Sequence, residues 1–236
     1  MAGIVEPREG LKAKDIPTRA AAIRELKRIG QWDDVGVLVE MAKSDRSLSV
    51  RIYAAAAASN ILIRERNAKP DAMLSKSQRE QVRTWLVSID PASNPGLLML
   101  LAGVADKWAL DRLARLMRDL RAGVRDGAVA AFRRLVLTAH LADEKAPQGV
   151  IRQVLAHRKT SPDVSLGLIG IIGEVGWDEL RDVLPRAACH GRPHPAAVEL
   201  ALERLSQRNV PQCFNGLWRS DGLDVLEEGD ASGGGW

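Results

Sequence analysis

Apolar residues recur along this chain at spacings of three and four, and no segment shows the Val/Ile/Thr-rich alternation that a sheet requires. The clearest segment is Ser49–Glu65, where five consecutive alanines, Ala54 to Ala58, lead into Ile61-Leu62-Ile63. Alanine is the best helix former and adds no bulk, so a helix built from it lets neighbouring helices approach closely. Ile52, Ala55, Ala56, Ser59, Asn60 and Ile63 follow helical spacing and predict one packed side. Such a helix buries too little apolar area by itself. It needs stacked neighbours, and the pattern therefore predicts repetition.

Repetition is present. Gly123–Leu137, Pro17–Ile29 and Pro195–Leu205 have the same alanine-rich build, and Val124-Arg125 repeats Val50-Arg51. Each of these segments is followed by one richer in Leu and charge. Three of those partner segments open alike, at Trp32, Trp108 and Trp177, which lie 76 and 69 positions apart. Each interval holds two helix pairs of about 35 residues, a period typical of helical solenoids. The Val-Arg followed by an alanine-rich helix resembles the HEAT-repeat (armadillo-like) family over most of residues 17–208. The resemblance implies an all-α fold, a right-handed α-solenoid of about five to six antiparallel helix pairs, with the second helices lining a concave surface.

The breaks support that division. Residues 1–14 carry Pro7 and Gly10 and predict an extended start, and Pro17 suits a first helical turn. Asp90–Gly96 is the strongest break. Leu97–Val104 after it is nearly all apolar and predicts the most buried helix. Ser161-Pro162-Asp163 opens another helix, along which Gly167, Gly170 and Gly173 predict a row of close packing. Trp177–Ala188 reads as the next partner helix and residues 210–219 as a closing cap. Residues 1–219 thus form one expected domain, and 220–236 an acidic, Gly-rich tail.

Charge adds a possible function. The net charge is +4, but no Lys or Arg follows Arg219, while Asp221, Asp224, Glu227, Glu228 and Asp230 do. The tail carries −5 and leaves +9 on the body. Such a body suits an anionic partner or masking by its own tail. Arg79, Arg83, Arg112, Arg115, Arg118, Arg152 and Arg158 fall on or beside second helices, where they form a candidate basic stripe. The competing reading is that they cover apolar surface or pair with carboxylates such as Asp111, Asp119 and Asp182. In the tail, Leu223, Leu226 and Trp236 are candidate docking residues among the acids.

The two cysteines, Cys189 and Cys213, make no disulfide framework and suggest a reducing, cytoplasmic setting. With His190 and His194 they contain zinc-ligand chemistry, but at a spacing that matches no strong zinc pattern. No segment approaches the roughly 20 apolar residues of a membrane span. A HEAT-repeat hydroxylase holds iron with paired His-Glu motifs, and none of His140, His157, His190 or His194 is followed by Glu. HEAT-like DNA glycosylases for alkylated bases resemble the chain in size and basic charge, and HEAT-like bilin lyases in architecture alone. The expectation is a non-catalytic scaffold that uses no cofactor and binds another protein along its concave face. Nucleic-acid binding, including a glycosylase-like enzyme, is the alternative.

Overall fold

A computed structural model describes residues 6–69, 73–139, 145–157, 159–185 and 195–207. Among them there is no strand. In chain order the helices are α1 (Pro7–Gly10), α2 (Ile16–Ile29), α3 (Trp32–Ser44), α4 (Leu48–Asn67), α5 (Lys76–Val87), α6 (Leu100–Val104), α7 (Lys107–Leu116), α8 (Ala122–Thr138), α9 (Lys145–Ala156), α10 (Pro162–Val175) and α11 (Pro195–Gln207). Short 3-10 turns occupy Pro95–Met99 and Asp178–Leu180.

The alanine- and glycine-rich helices make one layer. Along it α2 packs on α4, α4 on the Pro95–Met99 turn and α6, these on α8, α8 on α10, and α10 on α11. The second layer holds the partners: α3 lies against α4, α5 against α6, and α7 between α8 and α9. This is an α-solenoid in which each pair buries its apolar faces against the next.

The helix starts follow the sequence signals. Asp15 caps α2 by accepting from the Thr18 N–H at 2.8 Å, with Pro17 in the first turn. Ser75 and Gln78 form a capping box on α5, and Ser161 caps α10. The Val-Arg motif has a structural role. Val50 and Val124 are fully buried, while the following arginine reaches back six residues to the preceding turn. Arg51 donates to the Asp45 carbonyl at 3.0 Å and Arg125 to that of Asp119 at 3.0 Å. Arg19 makes the same contact with the Ala13 carbonyl at 2.9 Å and also pairs with Asp45 of the next turn.

Several expectations need correction. Pro7–Gly10 is a helical turn rather than extended, because Arg8 pairs with the buried Asp34 at 2.6 Å and Gly10 lies against Ala22. Ile52 is 45% exposed, while Ala55, Ser59 and Ile63 of the predicted side of α4 are buried. With neighbours on several sides, this helix also buries Ala54, Ala57, Ala58, Ile61 and Leu62. Leu97–Val104 is buried as expected apart from Met99, but it is not one helix. Its first part is the 3-10 turn, held where Asn94 donates to the Ala42 carbonyl at 2.9 Å and the Ser59 hydroxyl takes the Met99 carbonyl at 2.9 Å. Trp177–Ala188 reduces to the Asp178–Leu180 turn and helical residues 183–185 within its described part. The expected cap at 210–219 lies outside the described residues.

The glycine row also divides. A Cβ on Gly167 would lie 2.6 Å from Val129 Cγ1, and one on Gly173 3.0 Å from the Ala201 backbone, whereas one on Gly170 would meet nothing within 4 Å. Close approach instead recurs in the middle of the stack, where a Cβ on Gly103 would come within 2.5 Å of Leu62 Cβ.

The third element of the first layer is short. The 3-10 turn and α6 span Pro95–Val104, between the much longer α4 and α8. Side chains bridge the difference. Arg66, only 1% exposed, sends Nη1 to the Ala102 carbonyl at 2.6 Å and Nη2 to the Thr138 carbonyl at 2.6 Å, with Nε on Asn67 Oδ1 at 3.1 Å. Arg134 of α8 reaches Asn60 of α4 at 2.6 Å. No carboxylate among the described residues neutralises Arg66, and burial pulls its guanidinium down to about 10, so it stays charged at neutral pH. Its counter-charge is the carbonyl end of α6 and of α8, where a helix dipole favours a cation.

Replacing Arg66 with Met is expected to cost about 2–4 kcal/mol in urea unfolding, since it takes the donor from the buried Ala102 carbonyl and the part-buried Thr138 carbonyl and leaves a gap. Glycine replacements provide a second comparison. Gly170→Ala should stabilise by up to about 1 kcal/mol through helix propensity, and Gly103→Ala should destabilise by about 1–3 kcal/mol through overpacking. Equal effects at the two sites would contradict the packing described.

Candidate interaction surface

The second layer contains the predicted basic stripe, and its charge is graded. Within their helices, α5, α7 and α9 each carry a net +2, whereas α3 and the segment 178–185 each carry −2. Basic helices thus occupy the centre of the layer, with acidic segments on either side.

The stripe arginines fall into two groups. Arg79 and Arg83 of α5 converge on Asp106, the N-cap of α7, whose side chain also accepts from the Ala109 N–H at 2.9 Å. Arg83 further pairs with Glu80 at 2.5 Å, and its guanidinium lies 5.2 Å from the centre of the Trp108 ring. This is a cation–π contact that ties α5 to α7. Arg152 of α9 pairs with Asp182 at 3.0 Å and donates to the Glu179 carbonyl. These three are structural ties with much of their charge matched.

Arg112, Arg115 and Arg118 are different. No carboxylate among the described residues pairs with them. Arg115 donates only to the Asp111 carbonyl at 3.3 Å, and Arg118, past the end of α7, only to that of Ala114 at 3.2 Å. Of the acids expected to neutralise the stripe, Asp182 does so at Arg152. Asp111 takes Lys107 at 3.5 Å instead. Asp119 takes Arg121, which holds its carboxyl down at about 2 by hydrogen bonding. Arg158, Leu223, Leu226 and Trp236 lie outside the described residues, as do Cys189, His190, His194 and Cys213. Among the described residues no three His, Cys, Asp or Glu side chains are grouped to hold a metal ion. None of the described helices is long and apolar enough to cross a membrane.

Sequence reading missed two features. Trp85 of α5 stacks on Trp32 of α3, with ring centres 6.0 Å apart and planes at 27°. Both pack half-buried on the core, as do Trp108 and Trp177. The signal was the position of Trp85, three residues after Val82 and so near the same buried face. The second is Arg66. Ser59, Leu62 and Arg66 continue one row at spacings of three and four, which placed a charge where a core residue would stand.

No protein-family model and no curated protein matches this sequence. Among solved structures, it is similar to a crystallised engineered protein at 18% identity, over 84% of this chain and 93% of that one, with a TM-score of 0.41. It is also similar to a designed armadillo repeat protein at 17% identity, over 85% of this chain and all of that one, with a TM-score of 0.37. The assignment as an α-solenoid comes from the helix stacking described above.

Asp106 is the joint of this surface. Asp106→Ala should cost about 1–2 kcal/mol, as loss of a helix cap does, and should release Arg79 and Arg83. Unchanged stability in urea would show that the cap and the ion pairs are not formed in solution.

Proposed function

We propose that this chain is a HEAT-like repeat scaffold that binds an acidic segment of another protein along its second-layer face. The supporting observation is the centred run of three basic helices, where Arg112 and Arg115 of α7 and Arg118 just after it have no carboxylate partner among the described residues. Residues 1–219 serve as one solenoid, and two cysteines in 236 residues suit a reducing cytoplasm.

A protein partner is favoured over nucleic acid by the matched charge of Arg79, Arg83 and Arg152. Unmatched cations alternate with paired ones and with half-buried indoles, an arrangement closer to a protein interface than to a continuous phosphate track.

Fluorescence titrations of a polyglutamate peptide and of short single- and double-stranded DNA, at several salt concentrations, test this. Measurable binding of the peptide without binding of DNA is expected. Arg112→Glu together with Arg115→Glu should weaken peptide binding about tenfold, a loss of about 1.4 kcal/mol, with the far-UV circular dichroism unchanged. DNA binding with steep salt dependence and no peptide binding would support the nucleic-acid alternative.

A further inference from the structure

We propose that the acidic segment 221–236 of this same chain occupies the basic face of α7 and α9 and competes there with an outside partner. The inference rests on the scaffold reading just given and names a regulator of that surface.

Charge complementarity carries the argument. Asp221, Asp224, Glu227, Glu228 and Asp230 are five carboxylates within ten residues that contain no Lys or Arg. On the other side, α7 carries a net +2, and α9 adds Lys145 and Arg152, of which Arg152 is matched by Asp182. Arg112, Arg115 and Arg118 have no carboxylate partner among the described residues, and Lys107, 3.5 Å from Asp111, stands exposed at the start of α7. Leu223, Val225, Leu226 and Trp236 intersperse apolar groups among the acids. The receiving layer has half-buried Trp108 beside Arg83, an apolar ring edged by cations. Charges of this kind orient an incoming segment, while apolar side chains provide the burial.

The reach is sufficient. Gln207 ends α11, which packs on α10; α10 packs on α8 and α9, and α9 on α7. At about 8–10 Å per helix contact, α9 lies roughly 20 Å and α7 roughly 30 Å from α11. Residues 208–220 are thirteen residues that span up to about 45 Å when extended. A segment on such a tether faces the surface at an effective concentration on the order of 1 mM. An intrinsic dissociation constant of about 0.1 mM would then mask the face about tenfold.

The test compares the full chain with a full-length variant carrying Asp221→Asn, Asp224→Asn, Glu227→Gln, Glu228→Gln and Asp230→Asn. All described residues are retained, and the folded body is untouched. Polyglutamate peptide should bind the variant about tenfold more tightly at low salt, and the difference should vanish at high salt. A zero-length carbodiimide reaction on the full chain, read by mass spectrometry, should join tail carboxylates to Lys107, Lys145 or Lys159 within single chains. Equal peptide affinity for both chains, or no such cross-link, overturns the proposal. If neither chain binds the peptide while those cross-links form, tail docking stands and the scaffold reading fails. Peptide binding that is the same with and without the tail charges leaves the scaffold reading in place and removes the tail.

Discussion

The middle of the stack depends on one buried cation. The first layer is a row of alanine-rich helices, and its third member is only a 3-10 turn and a short helix. The longer α4 and α8 therefore project past it, and the space between their ends is filled by Arg66 and Arg134. Burying a guanidinium that has no carboxylate partner among the described residues is costly, and the lowered pKa of Arg66 reflects that cost. The offset is three hydrogen bonds, two of them to carbonyls near helix ends. A hydrophobic residue there would fill space but remove the donor that Arg66 gives those carbonyls. The surface α5–α7–α9 is mounted on this section of the first layer, so its continuity is inherited from the same contact.

Much of the architecture was legible because it follows from local rules. Alanine-rich runs, the Ser161-Pro162-Asp163 start and Pro17 in a first turn all act within a few residues, and helices stand where they predict them. The errors share a different origin. Ile52 was placed inside because spacing alone cannot distinguish a helix with one packed face from one with neighbours on several sides. Gly170 was grouped with Gly167 and Gly173 by its interval of three, yet it faces open space. Leu97–Val104 was read as one helix because its composition gives no sign of the Ser59 hydroxyl that takes the Met99 carbonyl. Each depends on a partner distant in sequence.

The candidate surface was legible in its residues and not in its pairing. Seven arginines were assembled from their positions on second helices, and the six described ones divide by what surrounds them. Arg79, Arg83 and Arg152 are committed to Asp106 and Asp182, which join adjacent helices. Arg112, Arg115 and Arg118 keep charge in excess. Exposed ion pairs contribute little to stability. Here their consequence is positional, since they decide which cations remain unmatched among the described residues. The alternation of matched and unmatched charge with half-buried indoles gives the face its pattern.

Native-state hydrogen exchange tests most directly whether the arginine bridge makes the centre of the solenoid one cooperative unit. The slowest amides of α4 and α8 should open with the same free energy and respond to urea in parallel, because neither helix keeps its end contacts when the other leaves. Exchange in α8 at a clearly lower opening free energy than in α4, with its own urea dependence, would mean that the stack divides at the short α6. The bridge would then be incidental to holding the surface together.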